Sequence, residues 1–229
     1  MNRCTKCPHA GQYAFCSLGE EAREFLDAHA VTVDYPRGSI LFREGEPGAA
    51  VFLLCSGKVK VTISSTEGRS GIIRVAHYGD VLGMSAVLGE TDHEVTAEAL
   101  EPCRVRILHA RTLRQFMLEF KDASLGAARA LAQDYKAAFL EIRRIALPES
   151  PAGRLSRLLL DWAEENKRSD PALTFAMNLT HEELASMTAT TRETVTRTLS
   201  RLKRENVIES KGVTLTILKP AVLHQLAAS

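Results

Sequence analysis

THEELASMTATTRETVTRTLSRLKRENV, residues 180–207, decides the reading of this chain. Thr180-His181-Glu182-Glu183 is a capping box ahead of Leu184 and Ala185, so a short helix is expected over about 182–187. Thr188-Ala189-Thr190 is a turn. A second helix then starts at Thr190/Thr191, with Glu193 close behind, and runs to about residue 205. Val195, Leu199 and Leu202 fall on its inward face. Arg192, Glu193, Thr196, Arg197, Ser200, Arg201 and Arg204 fall on the other. Two short helices, the second basic and opened by polar side chains, make a helix-turn-helix.

Residue chemistry gives that outer face a use. A recognition helix enters the DNA major groove N-terminus first. Arginine presents a two-pronged donor to guanine, and glutamate accepts from cytosine. That face carries residues of these types at its start, Arg192, Glu193, Thr196 and Arg197, and again further on, Ser200, Arg201 and Arg204. Thr180, Thr191, Arg201 and Lys211 are the candidate phosphate contacts. Lys211-Gly212 turns a two-strand ribbon over 207–217, which completes a winged helix.

Charge agrees with a local patch rather than a basic protein. The net charge of the 229 residues is +1 and the pI about 7.7, yet residues 192–211 hold six basic side chains against three acidic. A chain 45% apolar and 25% charged can build an ordinary globular core. No apolar run approaches a membrane span of ~18 residues. The polar N-terminus lacks a signal-peptide core, so a cytoplasmic protein with reduced thiols is expected. The residues supply no nucleophile–base–acid set, phosphate loop or HExxH, so an enzyme is not expected.

Upstream, residues 111–147 are helical in texture. Leu131, Tyr135, Ala138, Ile142 and Ile145 step by four and three, the seam of a two-stranded coiled coil and hence of a homodimer. The alternative is a helix lying on its own domain's core. Pro148-Glu149-Ser150-Pro151 ends this helix as a hinge, and another helix is expected over 152–167. Residues 31–108 are β in texture, with strands expected at 31–35, 51–55, 59–64, 71–77 and 103–108 between glycine-marked turns. A short helix is expected over 17–30. The resulting boundaries are 1–16, an arm; 17–110, a β-roll; 111–147, the dimer helix; and 148–229, the winged helix.

Arg192-Glu193-Thr194-Val195-Thr196-Arg197 resembles the recognition helix of the CRP/FNR family of bacterial transcription regulators, which implies that Arg192, Glu193 and Arg197, with Thr196 in support, are the base readers. GSILFREGE (38–46), VFLLCSGKV (51–59) and GDVLG (79–83) resemble that family's cyclic-nucleotide-binding-type β-roll. The resemblance implies an α+β fold: a jelly-roll sensor, a long dimerisation helix and a C-terminal winged helix-turn-helix. It also implies a homodimer on a palindromic promoter and contact with RNA polymerase. One departure is Ala189, where many members have glycine in the turn, so strain or a shifted turn is expected there.

The effector cassette, Gly83, Met84, Ser85, His93 and Glu94, departs further. Members that bind cyclic AMP carry a glutamate after the glycine and, about ten residues on, an arginine for the phosphate. Here those places hold Met84 and the acidic stretch 91–96, so cyclic AMP is not expected. Cys4-x2-Cys7-x8-Cys16 instead places three soft ligands in the arm, with His9 as a nitrogen alternative. The family's oxygen-sensing FNR branch holds an iron–sulfur cluster on an N-terminal cysteine group plus one distant cysteine. That resemblance points to Cys103 as fourth ligand, with Cys55 as core. Zinc, a plain thiol switch or no metal are the alternatives; haem is weaker, the histidines being scattered. A sensor acting without specific DNA binding is the other functional reading.

Overall fold

The computed structural model describes residues 4–7, 15–64, 70–146, 150–166 and 173–228. The chain divides into two compact units, Met1–Phe139 and Leu140–Ser229.

The first unit is a β-roll of two four-stranded antiparallel sheets. One has the order β1 (Val31–Tyr35), β8 (Cys103–His109), β3 (Ala50–Ser56), β6 (Val81–Leu82). The other has the order β2 (Ile40–Phe42), β7 (Thr96–Ala99), β4 (Val59–Ser64), β5 (Ser70–Ala76). Successive side chains of a strand point to opposite faces, and β3 follows this rule. Phe52 and Leu54 enter the roll with Phe42, Val59, Val61, Leu82 and Val105. Val51 and Leu53 point outward to a second core shared with the helices. Gly57 turns β3 into β4 at φ +86°, where a Cβ would lie 2.6 Å from the Pro102 carbonyl oxygen and the Cys103 sulfur.

The second core holds α1 (Glu20–His29), through Ala22, Phe25 and Leu26, against α3 (Ala110–Glu119). The Phe116 ring is fully buried between Phe25, at 5.2 Å, and Phe120, at 5.3 Å. α2 (Met84–Gly89) lies between them in sequence. The expected single helix over 111–147 is in fact two, α3 and α4 (Lys121–Ala146). Phe120 adopts extended backbone between them, caps α3 through Phe116 O, and packs against that core.

The second unit is a winged helix. It comprises α5 (Pro151–Asn166), β9 (Thr174–Ala176), α6 (His181–Met187), α7 (Arg192–Arg204), β10 (Ile208–Lys211), β11 (Thr214–Ile217) and α8 (Pro220–Ala227). β11 is central between β10 and β9. Leu155, Leu159, Leu184, Val195, Leu199, Leu202, Ile208 and Leu215 form its core. No described helix is long and apolar enough to cross a membrane. Of the expected hinge, residues 148 and 149 lie outside the described residues, and Pro151 opens α5.

Candidate functional site

α6 begins with a complete capping box. Thr180 Oγ1 accepts from the Glu183 N–H at 3.2 Å, and Glu183 Oε2 accepts from the Thr180 N–H at 2.8 Å. Thr191 caps α7, its hydroxyl accepting from the Thr194 N–H at 3.3 Å. Both expected phosphate hydroxyls are thus engaged in capping, which leaves the helix N-termini themselves to favour an anion. α7 ends in a Schellman closure: the Val207 N–H reaches Leu202 O at 2.8 Å and the Asn206 N–H reaches Lys203 O at 3.0 Å. Asn206 takes φ +52°, a left-handed conformation that asparagine tolerates.

These caps fix which face of α7 is outward. Val195, Thr198, Leu199 and Leu202 are buried; Arg192, Glu193, Thr196 and Arg197 are exposed. The helix N-terminus and Thr191 hold the Glu193 carboxyl below its ordinary range, so it stays an acceptor. Thr196 has a second duty: its hydroxyl donates to Arg192 O at 2.9 Å and meets His181 Nδ1 at 2.8 Å, tying α7 to α6. Arg201 is half-buried, and its Nε has no partner among the described residues. Lys211, at the hairpin tip beside Gly212 (φ +59°), is well exposed and pairs with Glu209 at 3.2 Å.

The turn between α6 and α7 carries the strain expected at Ala189, which sits at φ +46°. Arg154 of α5 clamps this turn, donating through Nε to Thr188 O at 2.6 Å and through Nη2 to Ala189 O at 2.9 Å.

On α4, Ala123, Ala127 and Ala130 are buried on the roll's own core, and Leu131 packs against it half-buried. The first residue of the expected seam therefore lies on its own domain, as the alternative reading had it. Farther on, Tyr135 (72%), Phe139 (55%), Leu140 (48%) and Ile142 (62%) are exposed, as is Ala138. Tyr135 stacks on Phe139, with centroids 6.3 Å apart. The side chain of Ile145 lies outside the described residues.

In the effector cassette, Gly83 takes φ +80°, where a Cβ would come within 3.0 Å of the His93 ring. Met84 is fully buried in the helix-facing core. The Ser85 hydroxyl donates to Glu94 at 3.0 Å. His93 is buried and stacked on Phe42 at 3.9 Å, and burial pushes its pKa down, favouring the neutral ring. Nearby, Arg74 bridges Asp80 at 2.9 Å and Asp134 of α4 at 2.7 Å.

The arm is docked by residues that the sequence did not single out. Asp27 of α1 accepts from the Cys4 N–H at 2.6 Å and from the Thr5 N–H and hydroxyl at 3.2 and 3.0 Å. Arg106 of β8 pairs with Asp27 and donates to the Cys4 sulfur. Burial works to raise the Asp27 carboxyl, but the Cys4 N–H and Arg106 hold it below its ordinary value. Tyr78 Oη lies 2.8 Å from the Cys7 sulfur and 3.8 Å from the Cys16 sulfur. Burial raises the thiols of Cys4 and Cys16, and takes that of Cys55 to about 12.

Cys103 does not join this group, a correction to the expectation. It faces the roll interior with Val105, its thiol donating to the carbonyls of Glu101 and Lys58 at 3.1 and 3.2 Å. Cys55, expected in the core, is half-buried on the opposite, arm-facing side. Among the described residues, no three histidine, cysteine or carboxylate side chains are drawn close enough to hold a metal. His9 lies outside the described residues.

The family model described as cyclic nucleotide-binding domain matches residues 32–120, and that described as Crp-like helix-turn-helix domain matches 153–226. The CRP-like cAMP-activated global transcriptional regulator of Mycobacterium tuberculosis is 26% identical over 186 residues, 81% of this chain and 83% of that protein. The cyclic AMP receptor protein of Thermus thermophilus is 26% identical over 193 residues, 84% of this chain and 86% of that protein. Among solved structures, FixK2 from Bradyrhizobium japonicum superposes with a TM-score of 0.77 at 21% identity, covering 87% of this chain and 98% of its own. With both halves of the fold matched in this order, the chain belongs to the CRP/FNR family of DNA-binding transcription regulators.

Proposed function

We propose that this regulator works as a homodimer that reads a near-palindromic promoter site and takes its signal at the cysteine arm. The observation that carries the DNA reading is the outer face of α7. Arg192, Glu193 and Arg197 stand free of the domain core, on a helix fixed at both ends by its caps. Arg192 and Arg197 read guanine, Glu193 reads cytosine, and Thr196 adds a methyl contact. Lys211 on the wing and Arg201 engage phosphates, with Thr180 and Thr191 presenting helix N-termini to the backbone.

Homodimerisation is supported by the exposed apolar stripe Tyr135, Ala138, Phe139 and Ile142 on α4. A two-fold pair places half-sites about one helical turn, roughly 34 Å, apart. RNA polymerase is the partner by family resemblance.

The relatives above are named for cyclic AMP, but the cassette here favours another signal. Met84 is committed to the core, and Ser85 is bonded to Glu94, leaving carboxylate where an anion would enter. The arm, by contrast, brings thiols against the roll's outer sheet through Asp27, Arg106 and Tyr78. Oxidation or metal exchange there changes how the arm docks on α1 and β8. Footprinting on genomic DNA, with and without oxidant and with and without cyclic AMP, tests the reading. A two-fold protected site sensitive to oxidant and indifferent to cyclic AMP is expected. Protection that requires cyclic AMP, or no specific site, overturns it.

A further inference from the structure

We propose that His181 of α6 is a specificity-positioning residue: it locks the Thr196 side chain so that its methyl group, rather than its hydroxyl, faces the DNA and reads the C5-methyl of a thymine. The inference rests on the reading that the outer face of α7 reads bases, and it names the base that Thr196 recognises.

A hydroxyl has one proton to donate and two lone pairs with which to accept. The Thr196 proton goes to Arg192 O, one turn back on α7, at 2.9 Å. The same hydroxyl oxygen lies 2.8 Å from His181 Nδ1. With its proton committed, Thr196 must accept in that second contact, so His181 Nδ1 carries the hydrogen and donates. The hydroxyl is thus held from two sides, by its own helix and by α6, and has no proton left for a base. The Cγ2 methyl is the part of the side chain without an intramolecular partner. Thr196 is exposed on the face that also presents Arg192, Glu193 and Arg197.

A threonine in a helix ordinarily divides between two χ1 rotamers, because its hydroxyl can reach the carbonyl one turn back. His181 removes that freedom. The rotamer that also meets the imidazole gains a second hydrogen bond, which favours it roughly two- to tenfold. The methyl is therefore aimed before DNA arrives, and less ordering is left to the binding step.

His181 is itself well fixed. It is the first residue of α6, directly after the Thr180 cap and its capping box. Leu184 and Ala185 of α6 share a core with Val195 and Leu199 of α7. Arg154 grips the carbonyls of Thr188 and Ala189 in the turn between the two helices. The reach from His181 to Thr196 is set by this packing, and the imidazole acts on DNA through Thr196. Among the four bases only thymine carries a methyl in the major groove, and a threonine methyl meets it by apolar contact. Arginine and glutamate read polar base edges, so Thr196 adds the one apolar reader at the start of the face.

The test uses the full chain in wild type, Thr196→Ser, Thr196→Val, His181→Ala, His181→Asn and Arg197→Ala forms. Wild-type protein selects its half-sites from a pool of random duplex DNA. Each thymine of the selected site is then replaced singly by deoxyuridine, which removes only the methyl. Affinities are measured at one salt concentration, and a thermal melt checks folding. At one thymine, loss of the methyl should weaken wild-type binding about three- to fourfold per half-site, the worth of one buried methyl group. Thr196→Val, which keeps a methyl and drops the hydroxyl, should retain this uracil effect. Thr196→Ser, which keeps the hydroxyl and drops the methyl, should lose it. His181→Ala should weaken it, and His181→Asn, whose amide N–H sits one bond beyond Cγ as Nδ1 does, should restore it. A uracil effect unchanged in folded His181→Ala, or retained by Thr196→Ser, overturns the proposal, as does a wild type indifferent to every thymine methyl. Arg197→Ala separates this from the underlying reading. It should relax the preference for guanine and leave the uracil effect in place. Selectivity left intact by Arg197→Ala overturns the base-reading face and the proposal with it. Selectivity relaxed by Arg197→Ala, with no thymine methyl that matters, overturns only the roles of Thr196 and His181.

Discussion

Replacing Ala189 by glycine should stabilise the DNA-binding unit, although it removes a methyl group. Ala189 is held at φ +46° in the turn between α6 and α7, and its side chain is exposed, so the methyl contributes little packing. An L-residue in the left-handed region costs about 1–2 kcal/mol. Glycine relieves that but loses about 0.5–1 kcal/mol through its freer unfolded chain. The net expectation is about 0.5–1 kcal/mol of added stability, or ~3–6 °C in Tm for a unit of this size. The turn itself should be unchanged, because Arg154 grips the carbonyls of residues 188 and 189, which glycine retains. The chain's single tryptophan makes the assay selective: Trp162 lies on α5, its ring 6.0 Å from Phe175 in this unit's core. Urea titration followed by Trp162 fluorescence should show a higher midpoint with an unchanged slope. A lower midpoint for Ala189→Gly would mean that the positive φ carries no strain, and would refute the reasoning.

Three further outcomes follow from the geometry. Asp27 has its pKa lowered in the folded chain, so its contribution is complete above the ordinary carboxylate value of about 3.9 and is lost as pH falls through the lower folded value. Asp27→Asn should therefore cost about 1–3 kcal/mol at pH 6–7, with the gap to wild type closing below pH 4 in thermal melts; a gap independent of pH would contradict it. Ile142→Glu should place like charges face to face across the two-fold of α4 and yield monomers in sedimentation, whereas an unchanged dimer would move the interface elsewhere. Lys211→Ala should weaken binding to all DNA sequences and reduce the salt slope by about 1, and a sequence-selective effect would remove it from the phosphate contacts.

The DNA-binding half is legible in the sequence because its signals are local. Capping residues, a 3.6-residue apolar period and the Lys211-Gly212 turn each act within one or two helical turns, and α6, α7 and the wing stand where these residues put them. Even the strain at Ala189 was readable as a missing glycine. The placement of the cysteines was not legible in full, because it depends on pairing rather than on neighbours. Whether Cys103 or Cys55 faces the arm is set by the register of β3 against β8 and by a bulge at Cys55, and neither has a sequence signature. Arg106 and Asp27 were missed for the same reason, being 79 residues apart in the chain. The break at Phe120 has no proline or glycine to mark it; it arises from burying Phe116 and Phe120 in one aromatic cluster. β2 and β6 are too short for alternation to show.

The central claim, that the outer face of α7 reads base sequence, is tested most directly by the specificity ratio of Arg197→Ala. Affinity for the footprinted site and for unrelated DNA of equal length is measured at the same salt concentration, in wild type and variant. Arg197 is exposed one turn into α7, so its loss should remove a guanine contact and cost about 1–3 kcal/mol per half-site on the specific sequence. Binding to unrelated DNA should change far less, so the ratio of the two affinities falls at least several-fold. A ratio equal to wild type, with both affinities lowered together, would make Arg197 a phosphate contact and contradict the account.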